Sequence, residues 1–146
     1  MKKLLFIFVC ILIVCTPCLA RSPLLSGVAA TGASKGVTLS DFSSTHTVEV
    51  YYTDANASIT VLTVDLEGSI DPSRTADASA HWFQLASYTL TSAELTAKQA
   101  MFHVVNKGAS RLRVNITTLT GADAGDAVTV LLATDSESPG QVDGGN

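Results

Sequence analysis

The sequence predicts an all-β fold, an antiparallel β-sandwich of about seven strands with at most one short helix. Apolar residues recur at every second position over long stretches, which places alternate side chains on opposite faces of a strand. Threonine, valine, alanine and serine dominate the composition, and β-branched residues favour strands. Short polar connections separate the apolar stretches at the regular spacing of a sandwich or barrel.

The clearest alternation lies in residues 110–119, where Leu112, Val114 and Ile116 oppose polar neighbours. This is the pattern of a sheet with one face in the core and one in water. Arg111 and Arg113 fall on the outer face, where we expect a solvated pair. The predicted strands are residues 36–40, 46–53, 58–70, 82–90, 100–106, 110–119 and 127–134.

The connections between the predicted strands are of three kinds. Residues 54–57, 107–109 and 121–126 have the composition of hairpin loops. Residues 91–99 carry a threonine or serine cap with Glu94 in the first turn, which predicts one short helix crossing between the sheets. The longest connection, residues 71–81, is either a mobile solvated insertion or a binding loop.

The first twenty residues have the pattern of a secretory signal peptide. Lys2 and Lys3 precede an unbroken apolar run, and Ala20 ends a small-residue cleavage site. The apolar run is shorter than the roughly 20 residues of a membrane-spanning helix, although an uncleaved anchor stays open as the alternative. We therefore expect a bacterial protein that is secreted, periplasmic or held at the cell surface, and free of the membrane after cleavage.

Removal of this leader has two consequences for the exported chain. It removes Cys10, Cys15 and Cys18, all the cysteines present, so disulfides and sulfur-ligated zinc are excluded. It also removes Lys2 and Lys3, leaving seven basic and 13 acidic side chains and a net charge of −6. Nucleic acid, which needs a clustered basic face, is excluded as a partner.

The predicted organisation is a signal peptide at residues 1–20, a flexible lead-in at 21–35, a sandwich domain at 36–135 and a disordered tail at 136–146. The lead-in and the tail are rich in glycine and serine and show no apolar period. A length of 126 residues without the leader suits one domain.

No catalytic residues emerge from the sequence, and we predict that the protein is not an enzyme. The segment Gly32 to Gly36 matches the GxSxG pattern of hydrolases, but no predicted strand precedes it and no helix follows. His46, His81 and His103 share no metal-ligand spacing. No cofactor is predicted. Calcium is the one ion kept as an alternative, with these acidic residues as candidate ligands: Asp65, Glu67, Asp71, Asp77, Asp123 and Asp126.

The ligand candidates are Trp82, Tyr51 and Tyr88, together with Asp71 and Asp77 of the long loop. Flat aromatic faces stack on sugars and polar groups fix their orientation, so these residues define a carbohydrate-binding alternative. The competing interpretation buries Trp82 as a plug at a strand edge, because a domain with one tryptophan tends to bury it.

Residues 46–134 also resemble a known group of proteins. Its motifs are a strand ending in glycine, serine and aspartate, a strand opening with tryptophan, and a later arginine-valine-asparagine strand ending near a glycine. The matching residues are Gly68, Ser69, Asp71, Trp82, Arg113, Val114, Asn115 and Gly121. The chain thus resembles small β-sandwich domains of bacteriophage particles and bacterial surface proteins, although its loop before Trp82 is longer.

The resemblance implies a jelly-roll-like sandwich used for assembly or attachment, with no catalytic residues to carry over. Together with the leader, it predicts an exported, non-enzymatic structural or attachment module at a bacterial surface or in an extracellular assembly. Its partners would be other copies of itself or a surface protein, joined through edge strands or the tails. A carbohydrate-binding domain using Trp82 and the long loop, with a glycan as partner, is the alternative.

Overall fold

A computed structural model describes residues 22–43, 45–105 and 107–135. The predicted signal peptide and the predicted C-terminal tail lie outside these residues. No helix within the described ranges is long and apolar enough to cross a membrane. The elements are β1 Ser22–Val28, β2 Gly32–Ala33, β3 Val37–Ser43, β4 Thr45–Thr53, β5 Val61–Ser69, a 3-10 turn Asp77–Ser79, β6 Phe83–Thr89, α1 Ser92–Ala97, β7 Gln99–Val104, β8 Ala109–Thr120 and β9 Ala127–Asp135.

The strands form two antiparallel sheets, as the sequence predicts. Sheet A has the order β1-β9-β4-β7, and sheet B has the order β2-β8-β5-β6, with β3 also paired to β8. Since β2 and β3 lie one after the other along the same side of β8, they act as a single interrupted strand. Counted in this way, eight strands form two packed sheets of four, the arrangement of a jelly roll.

The order of the strands corrects the prediction for the short connections. Residues 54–57 lead from β4 in sheet A to β5 in sheet B, and the connections at 107–109 and 121–126 also change sheet. They are crossovers at the ends of the sandwich and not hairpins. Turn-forming residues mark where a strand ends, but they do not specify in which sheet the next strand pairs.

The core lies between the sheets and consists of the residues that the alternation turns inward. Buried side chains repeat at every second position in β4 and β7 and from Leu112 to Ile116 of β8. The predicted inward residues of β4, β5 and β8 are all buried: Val48, Val50, Tyr52, Leu62, Val64, Leu66, Leu112, Val114 and Ile116. The residues that the alternation turns inward are therefore part of the core between the sheets.

The segment 21–35, expected to be a flexible lead-in, differs from that expectation in its described residues. β1 pairs with β9 at the border of sheet A and buries Leu24, and β2 pairs with β8. The register of β1 shifts twice, once after Pro23 and again after Leu25. Such irregularities displace side chains from strict alternation, which is why this strand gives no period-two signal.

The single predicted helix is confirmed. Thr91 accepts a hydrogen bond from the backbone N–H of Glu94, and the Glu94 carboxylate accepts one from the N–H of Thr91. This reciprocal capping box satisfies two N–H groups that have no partner within the helix. Lys98 ends the helix in the left-handed conformation, with φ of 57°, so that the chain leaves α1 directly into β7.

Candidate functional site

The long connection between β5 and β6 folds back over the outer face of sheet B, and Asp77 holds it there. One carboxylate oxygen of Asp77 accepts the backbone N–H of Gly36 at 2.8 Å, and the other pairs with the Arg111 guanidinium. The backbone carbonyl of Asp77 accepts the indole N–H of Trp82 at 3.0 Å. One residue thus links the loop to β8, to the segment before β3 and to the start of β6.

Trp82 packs on this outer face and is not part of the apolar core between the sheets. The Arg113 guanidinium lies 4.4 Å from its ring centroid and the Arg111 guanidinium lies 5.2 Å away, both within the range of a cation–π contact. A side chain at Gly36 would come within 2.7 Å of the indole ring. Gly36 is therefore the residue that makes room for Trp82 over sheet B.

The loop covers an outer face that the sequence predicts to be wet. Arg111 is 3% exposed, so the prediction of a solvated arginine pair is wrong for this residue. Its Nε and Nη1 atoms have no hydrogen-bond partner in the described structure. Arg113 is half-buried and pairs with Glu67, which also accepts a hydrogen bond from Asn115.

A second contact fixes the two ends of the loop to each other. Asp71 accepts hydrogen bonds from the backbone N–H of His81 and interacts with its imidazole Nδ1 at 3.2 Å. The backbone donor of His81 holds the pKa of Asp71 below its ordinary value of 3.8. The loop is thus closed at its base by Asp71 and docked at its middle by Asp77.

The aromatic ligand candidates do not come together in the structure. Tyr51 lies on the outer face of sheet A and is 43% exposed, across the sandwich from Trp82. Tyr88 stacks on Phe102 at a centroid distance of 5.0 Å. Its hydroxyl donates to Glu94, and this hydrogen bond raises the pKa of Tyr88 and lowers that of Glu94. No shared sugar-stacking platform forms from the three rings.

The acidic residues weighed as calcium ligands are dispersed over the fold. Asp65 accepts from Ser87, Glu67 pairs with Arg113, and Asp126 accepts the backbone N–H of Asp123. Among the residues that the structure describes, no group of three or more histidine, aspartate or glutamate side chains converges to hold a metal.

His46 is a buried polar residue whose environment the sequence does not reveal. It is 0% exposed, and its Nε2 lies 3.0 Å from the carbonyl oxygen of Lys107. A carbonyl only accepts, so Nε2 carries the proton, while Nδ1 has no partner in the described structure. Burial lowers the pKa of His46 below 6.5, although the Lys107 carbonyl partly offsets this effect. The imidazole is therefore held neutral.

β7 is an edge strand of sheet A, because within the described chain it pairs on one side only, with β4. Its six residues keep one register with β4 from His46 opposite Val104 to Tyr51 opposite Gln99. The other edge strands, β1, β3 and β6, each pair with their neighbour through at least one register shift. Among the strands of the described ranges, β7 is thus the edge strand whose ladder contains no register shift.

A groove of about 460 Å³ lies beside the first half of this strand. Ala93 and Ala97 of α1 form one wall, and Gln99 and Met101 of β7 are on the other. Met101 is 56% exposed. Glu49 of β4, which lies opposite Met101, and Glu94 of α1 also line the groove, so it extends over β7 toward β4.

No protein-family model matches the chain, and no curated protein matches it. One similar solved structure is that of the SPBc2 prophage-derived protein YomS, with 9% sequence identity and a TM-score of 0.48. The similarity covers 79% of this chain and 91% of that chain.

Proposed function

We propose that this chain is an exported, non-enzymatic structural or attachment module, working at a bacterial surface or in an extracellular assembly and joined to its neighbours through a sheet border. The observation that carries the proposal is the internal pairing of the candidate site. Trp82, Asp77 and Arg113 are each bound to other residues of the same domain.

This pairing leaves a different kind of surface for binding. A strand at a sheet border presents backbone N–H and C=O groups that another extended segment can pair with. β7 offers such an edge, and its pairing with β4 contains no register shift. A surface of this type suits attachment to another protein better than turnover of a small substrate.

The carbohydrate-binding alternative has less geometric support. A sugar-binding tryptophan offers its ring face to the ligand, whereas the Trp82 ring already contacts two guanidinium groups and its N–H is bound to Asp77. A glycan array with the wild type and Trp82→Ala separates the two functions. A glycan signal that disappears in Trp82→Ala would overturn the attachment proposal.

The attachment proposal is tested first by association in solution. Residues 21–146 contain the whole described core, and we expect light scattering after size exclusion to show a mass that rises with concentration. A protein that stays strictly monomeric over the full concentration range, and binds no surface protein, would contradict the proposal.

A further inference from the structure

We propose that the partner at the β7 border is a second copy of this chain, joined by antiparallel pairing of β7 with β7 around Met101. The inference rests on the proposed function, which names the type of contact, and it adds the identity of the partner and the register.

The backbone groups available for pairing follow from the ladder between β4 and β7. The N–H of Tyr52 donates to the carbonyl of Lys98 at 3.1 Å, so these residues form a hydrogen-bonded pair. Because such pairs alternate along an antiparallel ladder, Ala100, Phe102 and Val104 also turn their backbone groups to β4. The backbone groups of the intervening residues, Gln99, Met101 and His103, therefore point to the free side.

This set of outward groups is symmetric about Met101. In an antiparallel pair of two β7 strands, hydrogen bonds form only when outward residues lie opposite outward residues. The register that uses all three places Met101 opposite Met101 of the second copy and Gln99 opposite His103 of the second copy. A two-fold axis through Met101 then relates the copies, and the same surface serves on both sides.

The side chains of β7 are compatible with this pairing. Its sequence, QAMFHV, contains no proline and no lysine, arginine, aspartate or glutamate, the residues that block pairing at strand borders. Two copies of an acidic chain can approach here without placing like charges directly opposite each other. Thr47 bonds to Nδ1 of His103 at 2.9 Å, which leaves Nε2 for the Gln99 amide across the pair.

The edge strands β1, β3 and β6 are less suited than β7 to pairing with a second copy. β1 contains Pro23 and two register shifts. β6 pairs with β5 through a shift between Leu66 and Glu67, and β3 through one after Thr38. The proline and the register shifts each disturb the regular row of backbone N–H and C=O groups that a second strand needs.

Single cysteines test the register, because residues 21–146 contain none of their own. Hydrogen-bonded partners in an antiparallel pair have Cα atoms about 5.5 Å apart, within disulfide range. We expect Met101→Cys to form a covalent dimer on mild oxidation. Gln99→Cys and His103→Cys should each form no disulfide-linked dimer alone and a disulfide-linked mixed dimer together. Val61→Cys, a similarly apolar exposed site on β5, is the control.

Met101→Lys tests the interface without crosslinking. It places two lysines opposite each other, and like charges in that position destabilise a strand pair. Since Met101 is exposed, we expect an unchanged circular dichroism spectrum and a dimer dissociation constant raised at least about tenfold. Full association of Met101→Lys, or no excess of the Met101→Cys dimer over the Val61→Cys control, overturns the β7 pairing and leaves the attachment function standing. A wild type that does not associate with itself or a surface protein removes the function as well.

Discussion

Asp77 determines at the level of a single residue where the long loop lies. We expect Asp77→Ala to reduce the free energy of unfolding by roughly 2–3 kcal/mol, because it removes charge-assisted hydrogen bonds and leaves the buried Arg111 side chain without a carboxylate. Urea unfolding followed by circular dichroism measures the change. Arg74→Ala, an exposed change in the same loop, should stay within about 0.5 kcal/mol of the wild type. Equal stability of the two variants would contradict the role of Asp77.

His46 should make the stability of the protein depend on pH. Its pKa is lowered in the folded state, so the unfolded chain binds the proton more tightly. Stability is therefore fully present above the unfolded pKa of about 6.5 and is lost as the pH falls below it, by up to about 1.4 kcal/mol per pH unit. Urea unfolding between pH 8 and pH 5 measures this slope. His46→Leu should flatten it, and an equal slope in both proteins would contradict the assignment.

The residue-level chemistry of the loop is only partly readable from the sequence. Alternation correctly places Arg111 and Arg113 on the outer face of β8, because that depends on local period alone. That a tryptophan eleven residues after Asp71 lies over both arginines depends on how the loop folds back. This is a tertiary contact between distant segments, and no local pattern encodes it.

At the scale of elements, the turn between β8 and β9 depends on Gly121. Its φ is +86°, and a side chain there would come within 1.9 Å of the Ser58 carbonyl oxygen. Gly125 in the same turn also has a positive φ, of +107°, but open space around it. Gly125→Ala should cost about 1–3 kcal/mol from backbone strain. Gly121→Ala should cost clearly more in the same thermal or urea unfolding experiment, since the clash adds to the strain. Equal costs would show that no close approach exists.

Elements with strict alternation could be predicted, and elements without it could not. β4, β5 and β8 bury one face fully, so their apolar residues repeat every second position. β1 has two register shifts, which displace its side chains from strict alternation. Its composition therefore gives only the general features of an extended segment.

At the scale of the whole molecule, β1 completes sheet A and covers one side of the core. We expect residues 32–146, which lack β1, to be less stable than residues 21–146 by at least about 2 kcal/mol, because Leu24 is buried and Leu25 and Val28 pack against the core. Urea unfolding of the two fragments under identical conditions measures the difference. Equal stability would support a lead-in that contributes nothing to the fold.

The number of layers could be predicted from the sequence, whereas the path of the chain through them could not. A period of two with one polar face requires a second layer to cover the apolar face, and the lack of long helical patterns makes that layer a sheet. The choice between a hairpin and a crossover at residues 54–57 depends on which sheet buries β5 better. Many long-range pairings decide this together, and neither local composition nor the resemblance to jelly-roll-like domains predicted the crossover at this position.

Because of its position, the intrinsic fluorescence of Trp82 reports on the docking of the long loop. Trp82 is the only tryptophan of the chain, and it lies beneath the docked loop on the outside of sheet B, away from the apolar interior. Indole emission therefore follows undocking of the loop, while far-ultraviolet circular dichroism follows dissolution of the strands. Two probes on one unlabelled sample separate these events, and a difference between their midpoints gives the loop a stability of its own.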